Sequence, residues 1–427
     1  MSEAIFETVR RPPVTMRRDR LVRTALIALP MLVAAVAVVT HLVVGRFWLD
    51  LEVYRQAGSA LIHGRPVYGF AGHGEAGDPL PFTYPPFSAL MFVPFAVIGT
   101  DAAIFGWTLV SVAALEVTIW LVLRTLGAES PRRNVLTLGS SSLALMVYPV
   151  TNNLLVGQVD LLLMALVVAD LQGPARSRWR GVSIGVAAGI KITPAIFALY
   201  LLLTGRPKAA LRAFVGFLAT VALGFLVLPG DSRAYWSGLF LDGSRVTPDA
   251  RTINNQSLLG AMARITAQPW PAHLWSLPVM AVAGLAGITI AAVASRRGLE
   301  LTGILTCALT SLLISPVSWP HHWVWSVPLL LVPAWRGAVQ RTAAIVLLPV
   351  FIATNSWMIV TSTKHDDSFR GAFLVFSNAY VIVGLVLLAW VAVYLWRRRP
   401  SRSTAPGRSR IVHAGSRRLP ARFRPRG

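Results

Sequence analysis

Charge is scarce in this 427-residue chain: Asp, Glu, Lys and Arg together make up 14%, against 55% hydrophobic residues and a mean hydropathy of +0.60. A soluble domain cannot hide that much apolar surface in its cores, so lipid is the solvent. Cysteine is nearly absent as well. The single Cys307 lies in an apolar run, which excludes an intramolecular disulfide and any paired-cysteine metal site and leaves core packing. No P-loop, GxGxxG or HExxH string occurs, which argues against ATP-driven transport and against a soluble nucleotide-sugar domain. Acids are few beside bases, 18 against 40, for a formal charge of +22.

Most of that charge sits in the tails. Residues 1–24 hold six Arg against three acids, and residues 397–427 hold eleven Arg and no acid. Basic segments flanking membrane helices are cytoplasmic topology signals that also touch anionic membrane lipids. The tail lacks the interleaved aromatics of a stacking platform, so no nucleic-acid partner is expected. Its Pro, Gly and Ser content predicts disorder.

What the chain does have is apolar runs near the length of a membrane crossing. Leu26 to Val44, Leu274 to Ser295 and Ala372 to Leu395 each suffice to cross roughly 30 Å of hydrocarbon as a helix. They are continuously apolar, without the alternation of a barrel strand, so the expected fold class is an all-α polytopic membrane protein. Three parts follow: a basic cytoplasmic tail (1–24), a transmembrane domain (25–396) and an Arg-rich disordered cytoplasmic tail (397–427). The first apolar run is too long for a signal-peptide core and no small-residue cleavage site precedes Asp50, so a retained first helix over about 25–45 is expected.

Arg10 to Arg23 place the N-terminus inside, which puts a large first loop, 46–84, on the extracytoplasmic side with Asp50, Glu52, Glu75 and Asp78. Working back from Arg397, Arg398 and Arg399, the loops at Lys364 to Arg370, Ser315 to Trp323 and 230–272 also fall outside. The central pieces, about 135–150, 159–172, 181–190 and 193–204, are short and interrupted at NNLLVGQVD and KITP, as helices lining a cavity are. Counting all pieces gives about thirteen, but two cytoplasmic termini need an even number. About twelve spans are therefore expected, with 85–99 or one short piece re-entrant or at the surface.

The candidate chemistry gathers on the outer face. Asp50 in WLDLEVYRQAGSALIHGRPVYG stands at the water–lipid boundary, where a carboxylate can be a solvated loop acid or a general base toward a hydroxyl. Leu51, Tyr54, Ala57, Leu61 and Ile62 behind it keep helical period, as in a helix lying on the membrane surface. Tyr84 in PFTYPPFSAL makes a stiff aromatic rim that anchors at the interface or stacks on a sugar. Asn152, Asn153, Gln158, Asp160, Lys191, Asn254, Asn255 and Gln256 are polar groups in apolar surroundings, which are costly to bury and hence functional candidates. Lys191 suits a phosphate or snorkels to the headgroups. His321 and His322 are adjacent and point to different sides of a helix, which disfavours chelation; each can donate to a leaving phosphate or simply pack. No metal site is expected.

In their order, DLEVYRQAG with HGRPVYG, then FTYPPF, GQVD, GIKITP, NQSLLG and SPVSWPHHW, these strings resemble glycosyltransferase family 87, the GT-C polyprenyl-phosphate-mannose-dependent α-mannosyltransferases of actinobacteria. The resemblance spans nearly the whole membrane part. It implies a GT-C fold and transfer of mannose from polyprenyl-phosphate mannose to a mannosylated glycolipid: phosphatidylinositol mannoside, lipomannan or lipoarabinomannan. It also implies α-1,2 linkage with inversion, no cofactor and no metal. It makes Asp50 the catalytic base, and Tyr54, Tyr84, Gln158, Lys191, Asn255, Gln256, His321 and His322 the substrate-binding set. The family's GQ motif often continues with Asn, where this chain has Asp160. The competing reading is a transporter or flippase of lipid-linked glycans, which predicts internal repeats and polar groups at mid-membrane.

Overall fold

The computed structural model describes residues 14–44, 48–69, 71–73, 79–174, 177–268, 270, 273–362 and 371–397. The first half runs α1 (Val14–Val44), α2 (Leu49–Ile62), a ribbon of β1 (Ala71–His73) and β2 (Pro79–Pro81), α3 (Pro86–Ala96), α4 (Thr100–Thr125), α5 (Ser130–Ala144), α6 (Tyr148–Val156), α7 (Asp160–Gln172), α8 (Val182–Ile190) and α9 (Ile196–Leu203). The second runs α10 (Pro207–Val227), α11 (Pro229–Trp236), α12 (Leu258–Thr266), α13 (His273–Arg296), α14 (Glu300–Ile314), α15 (Ser326–Arg336), α16 (Ala338–Ser362), α17 (Gly371–Ser377) and α18 (Ala379–Arg397). The all-α expectation holds apart from the small antiparallel ribbon, in which Ala71 faces Pro81.

Among the described residues, five helices are long and apolar enough to cross a membrane: α1, α4, α10, α13 and α18. A sixth span forms if α6 and α7, bent by 118° at Gly157, are taken together. The described helices do not bear out a count of twelve spans: Pro, Gly and polar residues divide several of the other passes into shorter helices, while α16, at 25 residues, carries Pro349 inside it. The chain is a multi-pass membrane protein.

Contacts between helix ends show which pieces fail to cross. His41 near the end of α1 lies 4.0 Å from Asp101 in the first turn of α4, so both ends lie at one end of the bundle. Between them, α3 is only 11 residues, about 16 Å long. Arg55 of α2 ties the end of α3 to the start of α4 by bonds to Phe95 O (2.9 Å), Ile98 O (3.0 Å) and Thr100 Oγ1 (2.9 Å). The stretch 85–99 thus stays at that end. α3 packs on α2, stacking Phe92 on Tyr54 (4.2 Å between ring centres), and Leu51, Tyr54 and Ala57 are buried rather than laid against lipid. A Cβ at Gly58 would come within 2.9 Å of the Phe92 backbone, so only glycine permits this approach.

The second exception is the α8–α9 hairpin. α8 runs beside α10 with Gly181, Gly185 and Gly189 facing Ala209, Ala213 and Thr220; added Cβ atoms would lie 2.0, 2.3 and 2.1 Å from them. α9 then returns, and its end at Leu203 O accepts bonds from Arg296 (2.6 and 3.0 Å) at the end of α13. Neither helix completes a crossing; they form a V whose tip is Lys191 to Pro194.

NNLLV, expected as an interruption, is the body of α6, and the break falls at Gly157 (φ +76°). Cys307 is fully buried, as expected of core packing. Glu75, Asp78, Lys364, Asp366 and Asp367, most of the N-terminal tail and all of the C-terminal tail after Arg397 lie outside the described residues.

Candidate active site

A cavity of about 940 Å³ opens where α2, the α6–α7 bend, the hairpin tip and the Pro320–Trp325 turn converge. Asp50, Tyr54, Tyr84, Gln158, Lys191, His321 and His322 all line it. They reach it because their helices start or stop there. Asp50 is in the first turn of α2, after Trp48 in a left-handed conformation (φ 69°) whose N–H is held by Leu155 O (2.7 Å). Gln158 and Asp160 flank the α6–α7 bend, and Lys191 sits at the hairpin tip.

Gln158 organises the acid. Its Oε1 accepts from the Tyr54 and Tyr84 hydroxyls, each at 2.8 Å, which leaves its amide hydrogens for the Asp50 carboxylate. Burial pushes the Asp50 pKa up from 3.8 to about 6, outweighing the opposing Gln158 bond and the Lys191 charge. A half-buried carboxylate of that basicity, ionised yet able to take a proton near neutral pH, fits general-base work.

The cationic side of the cavity is equally tied. Lys191 Nζ donates to Asp160 Oδ1 and Oδ2 (2.9 and 3.1 Å), contacts His322 Nε2 (3.0 Å) and lies 5.2 Å from the centre of the Tyr84 ring. The Trp319 N–H points at His322 Nδ1 (3.3 Å), so a neutral imidazole satisfies only one of two donors at a time. His321 Nδ1 bonds Asn152 Oδ1 (3.1 Å), while its buried Nε2 has no partner among the described residues. Ligand atoms of Asp160, His321 and His322 lie within 4.8 Å of one another, a spacing that would hold a metal ion. The Lys191 ammonium already sits on two of the three.

Asn255 and Gln256 do not reach the cavity; their neighbour Asn254 does. Asn255 bonds Ala250 O, Pro316 O and Ser318 N (3.2, 3.2 and 3.0 Å). Gln256 bonds Ile253 O, Ser377 O and Tyr380 N (2.6, 2.8 and 3.2 Å). Both are fully buried and pin the SPVSWPHH segment and the α17–α18 break, so they support the site from behind. Arg251, in the same loop, pairs with Asp249 (2.8 Å). Sequence reasoning missed Arg245, a cavity-lining cation that nothing in the sequence sets apart from Arg233, Arg251 and Arg264 in the same 230–272 stretch.

Residues 82–316 match glycosyltransferase family 87. The chain is 32% identical over 393 residues, 89% of each sequence, to a polyprenol-phosphate-mannose-dependent alpha-(1-2)-phosphatidylinositol pentamannoside mannosyltransferase of Mycobacterium tuberculosis. It is 33% identical over 341 residues, 73% of the chain and 76% of the relative, to a polyprenol-phosphate-mannose-dependent alpha-(1-2)-phosphatidylinositol mannoside mannosyltransferase of Mycolicibacterium smegmatis. No solved structure matches the chain.

Proposed function

The chain belongs to glycosyltransferase family 87, and we propose that it transfers mannose from polyprenyl-phosphate mannose to a mannosylated lipid, forming α-1,2 linkages with inversion. The acceptor is a phosphatidylinositol mannoside, lipomannan or lipoarabinomannan. The reaction faces the extracytoplasmic side of the cell membrane, with both termini cytoplasmic; the Arg-rich flanks support that orientation.

The observation that carries this reading is Asp50, fixed by Gln158 in the same cavity as the Lys191–His322 pair. Asp50 takes the proton of an acceptor hydroxyl as its oxygen bonds to the anomeric carbon. The bond from that carbon to the phosphate oxygen breaks, and attack from the opposite face turns a β-linked donor into an α-linked product. The mannose is already activated by its phosphate, so neither a nucleotide domain nor a cofactor is needed. Charge gathers on the departing polyprenyl phosphate, where Lys191 and His322 stabilise it. Tyr54 and Tyr84 set the rotamer of Gln158 and thereby aim the base.

General-base help of this kind is worth roughly 10² to 10⁴ in rate. Asp50→Asn and Asp50→Ala should therefore lose transfer from radiolabelled polyprenyl-phosphate mannose in membranes. A folded variant with wild-type rates would sink the role of Asp50.

A further inference from the structure

The cavity wall holds a cation that the proposed transfer does not use. Arg245 ends the 3-10 turn Gly243–Arg245 and lines the cavity beside Asp242 and Val246. Its neighbours Phe240 and Leu241 also line the cavity yet are 40% and 75% exposed, which places Arg245 at the rim. The turn is built rather than loose. Asp242 Oδ1 accepts from the Ser244 backbone N–H (3.1 Å) and hydroxyl (2.5 Å). The Trp270 ring covers Gly243 so closely that a Cβ there would lie 2.7 Å from it, and that ring donates to Pro248 O (3.2 Å).

The guanidinium lies 5.5 Å from the centre of the Tyr68 ring and spends one long bond, 3.4 Å, on Phe82 O. No carboxylate pairs with it among the described residues. Asp242 is used by Ser244, Asp249 by Arg251, and Asp231 by the Val67 and Tyr68 amides (3.0 and 3.4 Å). Lys191, by contrast, is already neutralised by Asp160. A half-buried, uncompensated guanidinium with free in-plane donors is matched to a phosphate, whose oxygens accept two parallel bonds.

The two cations also share a frame. Lys191 rests on Tyr84 and Arg245 on Tyr68, and the Tyr68 hydroxyl donates to Tyr84 O at 2.6 Å. Tyr84 in turn holds Gln158, which holds Asp50. An anion seated on Arg245 is therefore held in fixed register with the base.

We infer that Arg245 is a binding site for the phosphate of a lipid substrate at the rim of the cavity. Only the identity of the lipid rests on the transferase reading: the phosphate belongs to the isoprenoid donor or to the phosphoinositide headgroup of the acceptor. The test is tryptophan-fluorescence titration of the full chain in detergent with geranylgeranyl phosphate and, separately, with dihexanoyl phosphatidylinositol. Arg245→Gln should weaken one of the two at least tenfold, and the lipid affected names the source. Arg245→Lys, which keeps the charge without the fork, should recover part of the loss and also serves if the Gln variant fails to fold. In transfer assays the KM for the same lipid should rise with kcat within about twofold. Affinities for both probes within twofold of wild type, or a fall in kcat with both KM values unchanged, overturn the inference. A wild-type protein that transfers no mannose but binds a lipid phosphate through Arg245 refutes the transferase reading and leaves this one standing.

Discussion

Replacing Asp50 by Asn deletes a charge while keeping an acceptor oxygen for the Gln158 amide, so it separates the chemistry of this residue from its packing. The folded protein holds Asp50 at about 6 against the ordinary 3.8. Keeping it ionised at pH 7 therefore costs the folded state about two pH units, on the order of 3 kcal/mol, and cavity water makes this an upper bound. The sign follows from the raised value. The folded state binds the proton more tightly, so the contribution of the carboxyl to stability is full below 3.8 and is lost as pH rises through about 6. Asp50→Asn should then transfer mannose at least ~100-fold more slowly, yet melt a few degrees higher at pH 7, an advantage that vanishes near pH 4. The wild-type kcat/KM should climb with pH and level off above an apparent pKa of about 6. Radiolabelled transfer between pH 5 and 8, paired with thermal melts followed by size-exclusion fluorescence, reads both quantities. Activity within tenfold of wild type, a lower melting point at pH 7, or a flat rate profile from pH 5 to 7 would refute the reasoning.

Three other outcomes are expected. Gln158→Leu removes a hydrogen bond that favours the ionised carboxylate, so the acid limb of the rate profile should move up by about one pH unit; a downward move would contradict the arrangement. Gly185→Leu puts a Cβ 2.3 Å from Ala213 O and forces α8 off α10, which should cost about 2 kcal/mol or more and be seen as a lower melting temperature, whereas an unchanged melt would show the hairpin packing to be soft. Chelation with EDTA should leave transfer within twofold of the untreated rate because Lys191 occupies the space between Asp160 and His322; a loss restored by a divalent ion would show that Asp160, His321 and His322 bind metal and that the lysine moves aside.

The membrane class, the flanking topology signals and most of the site were legible in the sequence because they depend on local facts: unbroken apolar runs, clustered arginines, and polar residues too costly to leave in lipid. Lys191 shows how far such reasoning goes. A cation interrupting an apolar run marks it as a functional candidate, but only the V of α8 and α9 reveals that it stands at a hairpin tip. The signal for that hairpin was present in Gly181, Gly185 and Gly189, spaced to bare one helical face, but their partners on α10 are set by tertiary packing. Asn255 and Gln256 illustrate the opposite error. A buried carboxamide looks the same in sequence whether it binds a sugar or closes a loop, and here every contact is to backbone. Arg245 was passed over because a loop arginine has no distinguishing pattern until the Tyr68 ring is seen beneath it.

Why an acid of raised pKa and a neutralised lysine should share one cavity becomes clear from the charge that the proposed transfer moves. Before transfer the ionised groups in and against the cavity are Asp50, Asp160 and Asp242 beside Lys191 and Arg245, for a net charge of minus one, and a donor phosphodiester brings another. Afterwards Asp50 holds the proton of the acceptor, and the freed lipid phosphate carries two negative charges. One unit of negative charge has passed from the base to the leaving group. Burial that makes ionised Asp50 costly favours its losing that charge, and an ammonium held at the hairpin tip favours the phosphate receiving it. Since His322 cannot satisfy both Lys191 and the Trp319 amide at once, the lysine has a donor to redirect when the phosphate dianion forms. Asp160 keeps the ammonium in place without cancelling that spare donor, which gives the acid after the GQ motif a use that Asn at the same position would not supply.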